Sequence, residues 1–295
     1  MKIETKQIYN DYLKLINDGL EQSIKVEYPE KIYESMRYSL LLGGKRLRPV
    51  MALETAKILG GEIENVLPSA LAIEMLHCQS LIHDDLPCMD NDDYRRGKPS
   101  NHKAFGEATA VLAGDAFLSY APKFIIEKTP SSVPPELILR VLREFFIGAG
   151  TDGIISGQIV DLDSEHKKID EQTLDFLYEY KTAKLFKLAV RTGAILSGAD
   201  EKIIENLTLY AHYFGHAFQV CDDILDEIST FEELGKTPKK DSNVQKSNYV
   251  SLFGLDSAKK RVTSLIESAC DILNKTDLKS VLLEEIALDL LERVN

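Results

Sequence analysis

The chain is short of basic residues, paired cysteines, prolines and long apolar runs, and each shortage narrows what it can be. Its 35 lysines and arginines are outnumbered by 47 acidic residues, for a net charge of −12, which argues against a nucleic-acid binder working through bulk electrostatics. An anionic ligand would need positive charge gathered locally. The four cysteines, Cys78, Cys88, Cys221 and Cys270, are far apart and form no C-x-x-C pair, so neither a zinc knuckle nor a disulfide framework is suggested. Reduced, intracellular thiols are the plain reading. No segment approaches the roughly 18 apolar residues of a membrane span, and the N-terminal stretch MKIETKQIYNDYLKLIND mixes charges from its second residue. A soluble, cytosolic protein without stable membrane insertion is expected. Only 10 prolines interrupt 295 residues that are 44% apolar, so the chain is globular and can bury a sizeable core.

Alternating strand patterns are also missing, and helical periodicity takes their place. Apolar positions recur at helical spacing in EKIYESMRYSLLLGG (Ile32, Met36, Leu40, Leu41), with Gly43-Gly44 as a stop. The same periodicity predicts helices over 50–59, 66–85, 107–127, 135–160, 171–196, 201–228 and 256–292. Glycine and proline clusters break them at 60–65, 86–106 and 129–135, with further breaks at 163–170 and 229–248. Pro122, inside FLSYAPKFIIEK, is expected to kink or shorten its helix. No linker divides the chain, so the prediction is one all-α domain over 1–295, a helical bundle with polar residues turned into a central cavity.

The most pointed feature is SLIHDDLPCMDNDDYRRG, residues 80–97, with five aspartates in ten positions and two arginines directly behind them. Neighbouring carboxylates 5–6 Å apart on a helix repel by about 3 kcal/mol per pair at an effective dielectric near 20. A cation must be expected there, or full solvation. Asp84 and Asp85 close a helix, where carboxylates also oppose the helix dipole, and Asp90 follows in a D-D-x4-D pattern. A second cluster lies in HYFGHAFQVCDDILDE. There Gly215, Gln219, Asp222 and Asp226 share one face at i, i+4, i+7 and i+11, Asp223 adjoins it, and the residues between are apolar. Two such clusters on helices of one all-α chain suggest facing walls for a hard, oxygen-liking cation. Mg²⁺ bridged by phosphate is the usual case. Basic residues at helix ends or beside glycine then supply direct anion contacts: Lys45 and Arg48 in GGKRLRP, Arg95 and Arg96 in YRRGKP, Lys181 and Lys184 in YKTAKLF, Lys236 and Lys246 further on. His212 and His216 make an H-x3-H pair that could ligate zinc. With no third nitrogen or sulfur ligand nearby, two ordinary helix histidines are the simpler reading.

With GGKRLRP, LIHDDLPCMDNDDYRRG, LAGDAF, GQIVDLD, KTAKLF, FQVCDDILD and LGKTPKKDS in this order, the chain resembles the trans-type short-chain prenyl diphosphate synthases of the farnesyl and geranylgeranyl diphosphate synthase family. The resemblance implies an all-helical fold around a deep cavity and a homodimer. It also implies a head-to-tail condensation of isopentenyl diphosphate with dimethylallyl, geranyl or farnesyl diphosphate. By the same resemblance Asp84, Asp85, Asp90, Asp222, Asp223 and Asp226 hold Mg²⁺, and Arg95, Lys181 and Lys236, with Gln158 in support, bind the allylic diphosphate. Lys45, Arg48, His77 and Arg96 match the metal-free isopentenyl diphosphate site, Asp161 pairs with Gln158 around the lysine, and Lys181, Thr182 and Gln219 flank the reacting carbons. Pyrophosphate would leave, the isopentenyl double bond would attack the allylic cation, and the pyrophosphate would take the proton then lost. Gln79 stands where bacterial farnesyl synthases carry an aromatic residue. Gln79, Ser80 and Phe117 are thus the expected chain-length residues, and geranylgeranyl diphosphate is favoured over farnesyl diphosphate. A class I terpene cyclase needs only one substrate diphosphate, and a non-catalytic synthase subunit usually loses one aspartate motif; these are the alternatives.

Overall fold

A computed structural model describes residues 1–228, 247–276 and 278–294. The helices run in the order α1 Ile3–Ser23, α2 Glu30–Leu40, α3 Leu47–Ile58, α4 Ile63–Asp84, α5 Asn101–Phe105, α6 Glu107–Lys128, α7 Pro135–Ala149, α8 Ile154–Asp163 and α9 Glu171–Leu177. A π-helical turn, Tyr178–Ala183, leads directly into α10 Lys184–Leu196. Then come α11 Glu201–Ile228, α12 Tyr249–Phe253, α13 Leu255–Lys275 and α14 Val281–Val294. The fold is all-α, as the periodicity predicts.

α4 is the central rod. From Val66 to Gln79 it is buried nearly all round, the mark of a core helix rather than a surface one. It packs against α3, α6 and α10, while α11 packs on α13. α1 has no counterpart in the sequence reading because its buried stripe is narrow: Tyr12, Ile16 and Leu20 at four-residue spacing among charges. It is pinned by a hydrogen bond from the Tyr12 hydroxyl to the buried Glu54 carboxylate, 3.1 Å.

Three helices expected as continuous are divided. Residues 135–160 split at Gly150–Gly153, where a side chain on Gly153 would lie 2.1 Å from the Gly148 carbonyl oxygen, so the chain turns where only glycine fits. The 171–196 helix carries the π turn. The 256–292 helix ends at Lys275 and restarts at Val281, behind Ser280, whose hydroxyl accepts the Leu283 N–H at 3.1 Å. At Pro122 α6 continues six residues further, to Lys128, so the proline does not shorten its helix.

A small hairpin stands inside the 86–106 break. Tyr94–Arg95 pairs with Lys98–Pro99 around Arg96-Gly97, whose φ angles are 53° and 74°. Positive φ at both central residues is the tight hairpin turn whose twist suits antiparallel strands. This turn sends the two adjacent arginines to different neighbours.

Candidate active site

A cavity of about 960 Å³ lies between the C-terminal half of α4, the start of α3, α8, the π turn and the C-terminal part of α11. Its first acidic wall is the end of α4. Asp84 lines the cavity, and Asp90 folds back beside it, donating its backbone N–H to the Asp84 carbonyl at 2.8 Å. Burial pushes the Asp84 carboxyl up to about 6, with Asp90 and Asp85 adding to the shift against the opposing pull of Lys181 and Arg95. Asp85, the next residue, is 2% exposed and does not line the cavity. Arg95 grips it, Nε lying 3.0 and 3.2 Å from the two carboxylate oxygens.

The second wall repeats this division. Asp222 and Asp226 line the cavity from α11, whereas Asp223, 3% exposed, turns into a network. It accepts the Tyr178 hydroxyl, the Tyr249 N–H at 2.9 Å and the Gln219 amide at 3.2 Å. That last bond orients Gln219, whose carbonyl oxygen accepts the Thr182 hydroxyl at 2.6 Å. Both Thr182 and Gln219 face the cavity, as does Lys181, which is paired with Asp161. Burial alone would lower Lys181, but Asp161, Asp84 and Asp90 outweigh it and hold the ammonium firmly charged.

A different kind of positive charge collects at the other end. Lys45, Arg48 and Arg96 line the cavity, and none has a carboxylate partner among the described residues. The Arg48 guanidinium lies 4.4 Å over the Phe186 ring with its Nε unbonded, and burial lowers its pKa to about 10. His77, in the same group, is held well below its ordinary value by burial and by Arg48 and Arg96, so it is a neutral hydrogen-bonding group. Gly44 makes the crowding possible. Its φ is +130°, and a Cβ there would fall 2.7 Å from the Arg96 guanidinium carbon. Beneath the group Arg46 and Glu74 form an ion pair at 2.7 Å with both side chains almost wholly buried.

The π turn that carries Lys181 and Thr182 is clamped between two glycines. A Cβ on Gly157 of α8 would lie 2.4 Å from the Lys181 backbone nitrogen, and one on Gly215 of α11 would lie 2.6 Å from Ala183 Cα. Gly215 is legible as part of the polar face of α11; Gly157 and Glu74 carried no signal of their own.

The chain-length residues divide. Gln79 and Ser80 line the cavity. The Gln79 amide nitrogen donates to His83 Nδ1 at 3.1 Å, and His83 Nε2 bonds the Val111 carbonyl of α6 at the same distance. Phe117 is fully buried in the core, and its neighbour Leu118 lines the cavity. Gln158 is on the cavity wall with a buried amide nitrogen lacking a partner. Lys184 lies 4.6 Å over the Tyr180 ring, outside the cavity. Lys236 and Lys246 lie outside the described residues.

The polyprenyl synthetase family model matches residues 29–285. The chain belongs to the polyprenyl synthetase family. It is a prenyltransferase, as its motifs predict. It is 45% identical over 283 residues to a geranylgeranyl diphosphate synthase of Cyanophora paradoxa, covering 96% of this chain and 94% of that one. It is 40% identical over 286 residues to a farnesyl diphosphate synthase of Geobacillus stearothermophilus, covering 97% and 96%. Among solved structures, a geranyltransferase from Helicobacter pylori complexed with magnesium and isoprenyl diphosphate superposes with a TM-score of 0.86 at 32% identity, over 99% of this chain and 98% of that one.

Proposed function

We propose that this polyprenyl synthetase condenses isopentenyl diphosphate with dimethylallyl, geranyl and farnesyl diphosphates, working as one synthase unit, and releases geranylgeranyl diphosphate. Farnesyl diphosphate is the alternative product. The observation that carries the reading is the division of charge around one cavity: carboxylates with paired cations at one end, cations without carboxylates at the other. A cyclase acting on a single diphosphate has no use for the second group.

The acidic end fits Mg²⁺. Asp84, raised by burial and by its acidic neighbours, is a carboxylate awaiting a cation, and Asp84, Asp90, Asp222 and Asp226 would hold the ions. Asp85 and Asp223 would steady this shell from behind. Bound Mg²⁺ would neutralise charge gathering on the departing pyrophosphate. Arg95 and Lys181 bind the same allylic diphosphate, Gln158 offers an amide N–H, and Lys236 is proposed to join them. Lys45, Arg48, Arg96 and neutral His77 bind isopentenyl diphosphate directly. Between them Thr182 directs its hydroxyl hydrogen to Gln219, leaving oxygen lone pairs for the allylic cation. The released pyrophosphate, kept in place by Arg95 and Lys181, takes the proton lost after the new bond forms.

Product length turns on Gln79. Its amide nitrogen donates to His83, which reduces the cost of a polar group beside a hydrocarbon tail, and a thin side chain tied back toward α6 leaves room for a C20 chain. Exposed Leu112, Leu139 and Phe146 on α6 and α7 support a homodimer in which a second copy covers these helices. The four cysteines are all free thiols and no described helix is long and apolar enough to cross a membrane, which supports a cytoplasmic setting.

Incubation with labelled isopentenyl diphosphate, farnesyl diphosphate and Mg²⁺ tests the reading, with geranylgeraniol expected after dephosphorylation and chromatography. Lack of incorporation from any allylic primer would refute it; incorporation that stops at farnesol from the shorter primers would select the alternative. The Gln79→Tyr variant is expected to stop at C15. An unchanged C20 product would move the floor of the cavity away from α4.

A further inference from the structure

On the outer side of α11, one turn before the catalytic face, His212 and His216 meet Glu179 of the π turn. The sequence offers only the histidine pair; the carboxylate arrives from 33 residues away and completes a set of three. Their ligand atoms all lie within 4.8 Å of one another. Glu179 Oε2 is 2.9 Å from His212 Nδ1 and 3.5 Å from His216 Nε2, bracketing the roughly 3.4 Å between neighbouring donors in a tetrahedral zinc shell with bonds near 2.1 Å. The other Glu179 oxygen is held by Lys187, which leaves Oε2 turned to the imidazoles.

Two features go beyond a simple ion pair. The His216 side chain is only 6% exposed, and its Nε2 makes no hydrogen bond although it points into this group. A buried ring nitrogen without a hydrogen bond is costly unless something takes its lone pair. His212, in contrast, is 33% exposed, which gives an entry path from solvent and room for a water as fourth ligand.

We infer that Glu179, His212 and His216 form a second metal site, distinct from the aspartate walls, for a borderline divalent ion of the Zn²⁺ type. Two imidazoles and one carboxylate suit such an ion and do not suit Mg²⁺, which prefers an all-oxygen shell. The ion would tie the π turn to α11 at the position two residues before Lys181, bracing the segment from outside the cavity. This site does not depend on the identity of the prenyl substrates.

The test uses the full-length protein, stripped with chelator and held in millimolar Mg²⁺ to occupy the aspartates, then titrated with Co²⁺ as a spectroscopic stand-in for Zn²⁺. One equivalent of Co²⁺ should bind with the intense visible bands of four-coordinate cobalt, and Zn²⁺ should displace it. His212→Ala and Glu179→Gln should each abolish the bands, and Lys187→Met should weaken binding by about 10–100-fold. Asp222→Ala should keep them, since it alters only the other site. His212 is partly exposed, so its variant tests the site even if Glu179→Gln fails to fold. Wild-type protein without the bands, or bands that survive in His212→Ala, would reduce the trio to a lysine-clamped carboxylate with two histidine neighbours and overturn the assignment.

Discussion

Adjacent aspartates in this protein do opposite work, and substitution should expose the difference. The Asp84 carboxyl has its pKa raised by burial from 3.8 to about 6, so the native state holds that proton more tightly than the unfolded chain. The cost of its charge is absent below about pH 4 and fully present above about pH 6. Asp84→Asn should therefore stabilise the protein at pH 8 without divalent cations, by up to about 3 kcal/mol, while lowering turnover by orders of magnitude. Asp85→Asn should do the reverse to the fold. It leaves Arg95 with only the 3.5 Å contact to Asp92; burial also raises the Asp85 pKa, which offsets part of the loss, so the destabilisation should stay below the roughly 3 kcal/mol of an uncompensated buried pair. Thermal unfolding of both variants checks this, and equal destabilisation would show that the two carboxylates share one role. The D-D-x4-D and DDILD spacings were legible because carboxylate crowding is unfavourable anywhere else. The face shared by Gly215, Gln219, Asp222 and Asp226 already marked Asp222 and Asp226 for the cavity; what Asp85 and Asp223 do instead was not legible, because Arg95 claims Asp85 from a hairpin and Tyr178 claims Asp223, contacts that no helical wheel contains.

At the scale of elements, the decisive piece is the π turn at Tyr178–Ala183. One extra residue in a helical turn rotates everything after it by about 100°, and because α10 is buried over most of its circumference the rotation leaves no gap in the apolar pattern. The periodicity of 171–196 still read as one helix, since apolar positions are dense on both sides of the break. The existence of helices α2 to α4, α6 and α11 was readable from periodic burial. The breaks in 135–160 and 256–292 were not, because they depend on Gly153 meeting a carbonyl and on Ser280 capping α14. The glycine clamp should be as demanding as any charged residue. Gly157→Ala places a methyl 2.4 Å from the Lys181 nitrogen, and either α8 moves or the turn does. Overpacking of this kind costs about 1–3 kcal/mol. Turnover should fall at least 10-fold, with the Michaelis constant for the allylic substrate affected more than that for isopentenyl diphosphate. Unchanged kinetics in Gly157→Ala would mean that the turn tolerates displacement.

For the whole molecule, the telling feature is three cations with no carboxylate partner among the described residues, Lys45, Arg48 and Arg96, at one end of a cavity in a protein of net charge −12. A diphosphate approaching from bulk solvent first meets repulsion and only near the mouth meets attraction. The two act over different distances, and dissolved salt separates them. At about 0.01 M ionic strength the screening length is roughly 30 Å and the whole acidic surface is felt; at about 0.1 M it is roughly 10 Å and most of that repulsion is gone. By about 1 M it is near 3 Å, and the attraction of the mouth fades as well. The specificity constant for isopentenyl diphosphate, measured at fixed free Mg²⁺, should thus pass through a maximum as potassium chloride is raised, and a steady fall from the lowest salt would show that the local cluster governs at every range. If the maximum is found, an acidic exterior around a basic mouth makes the encounter rate of this enzyme fastest in moderately salty water.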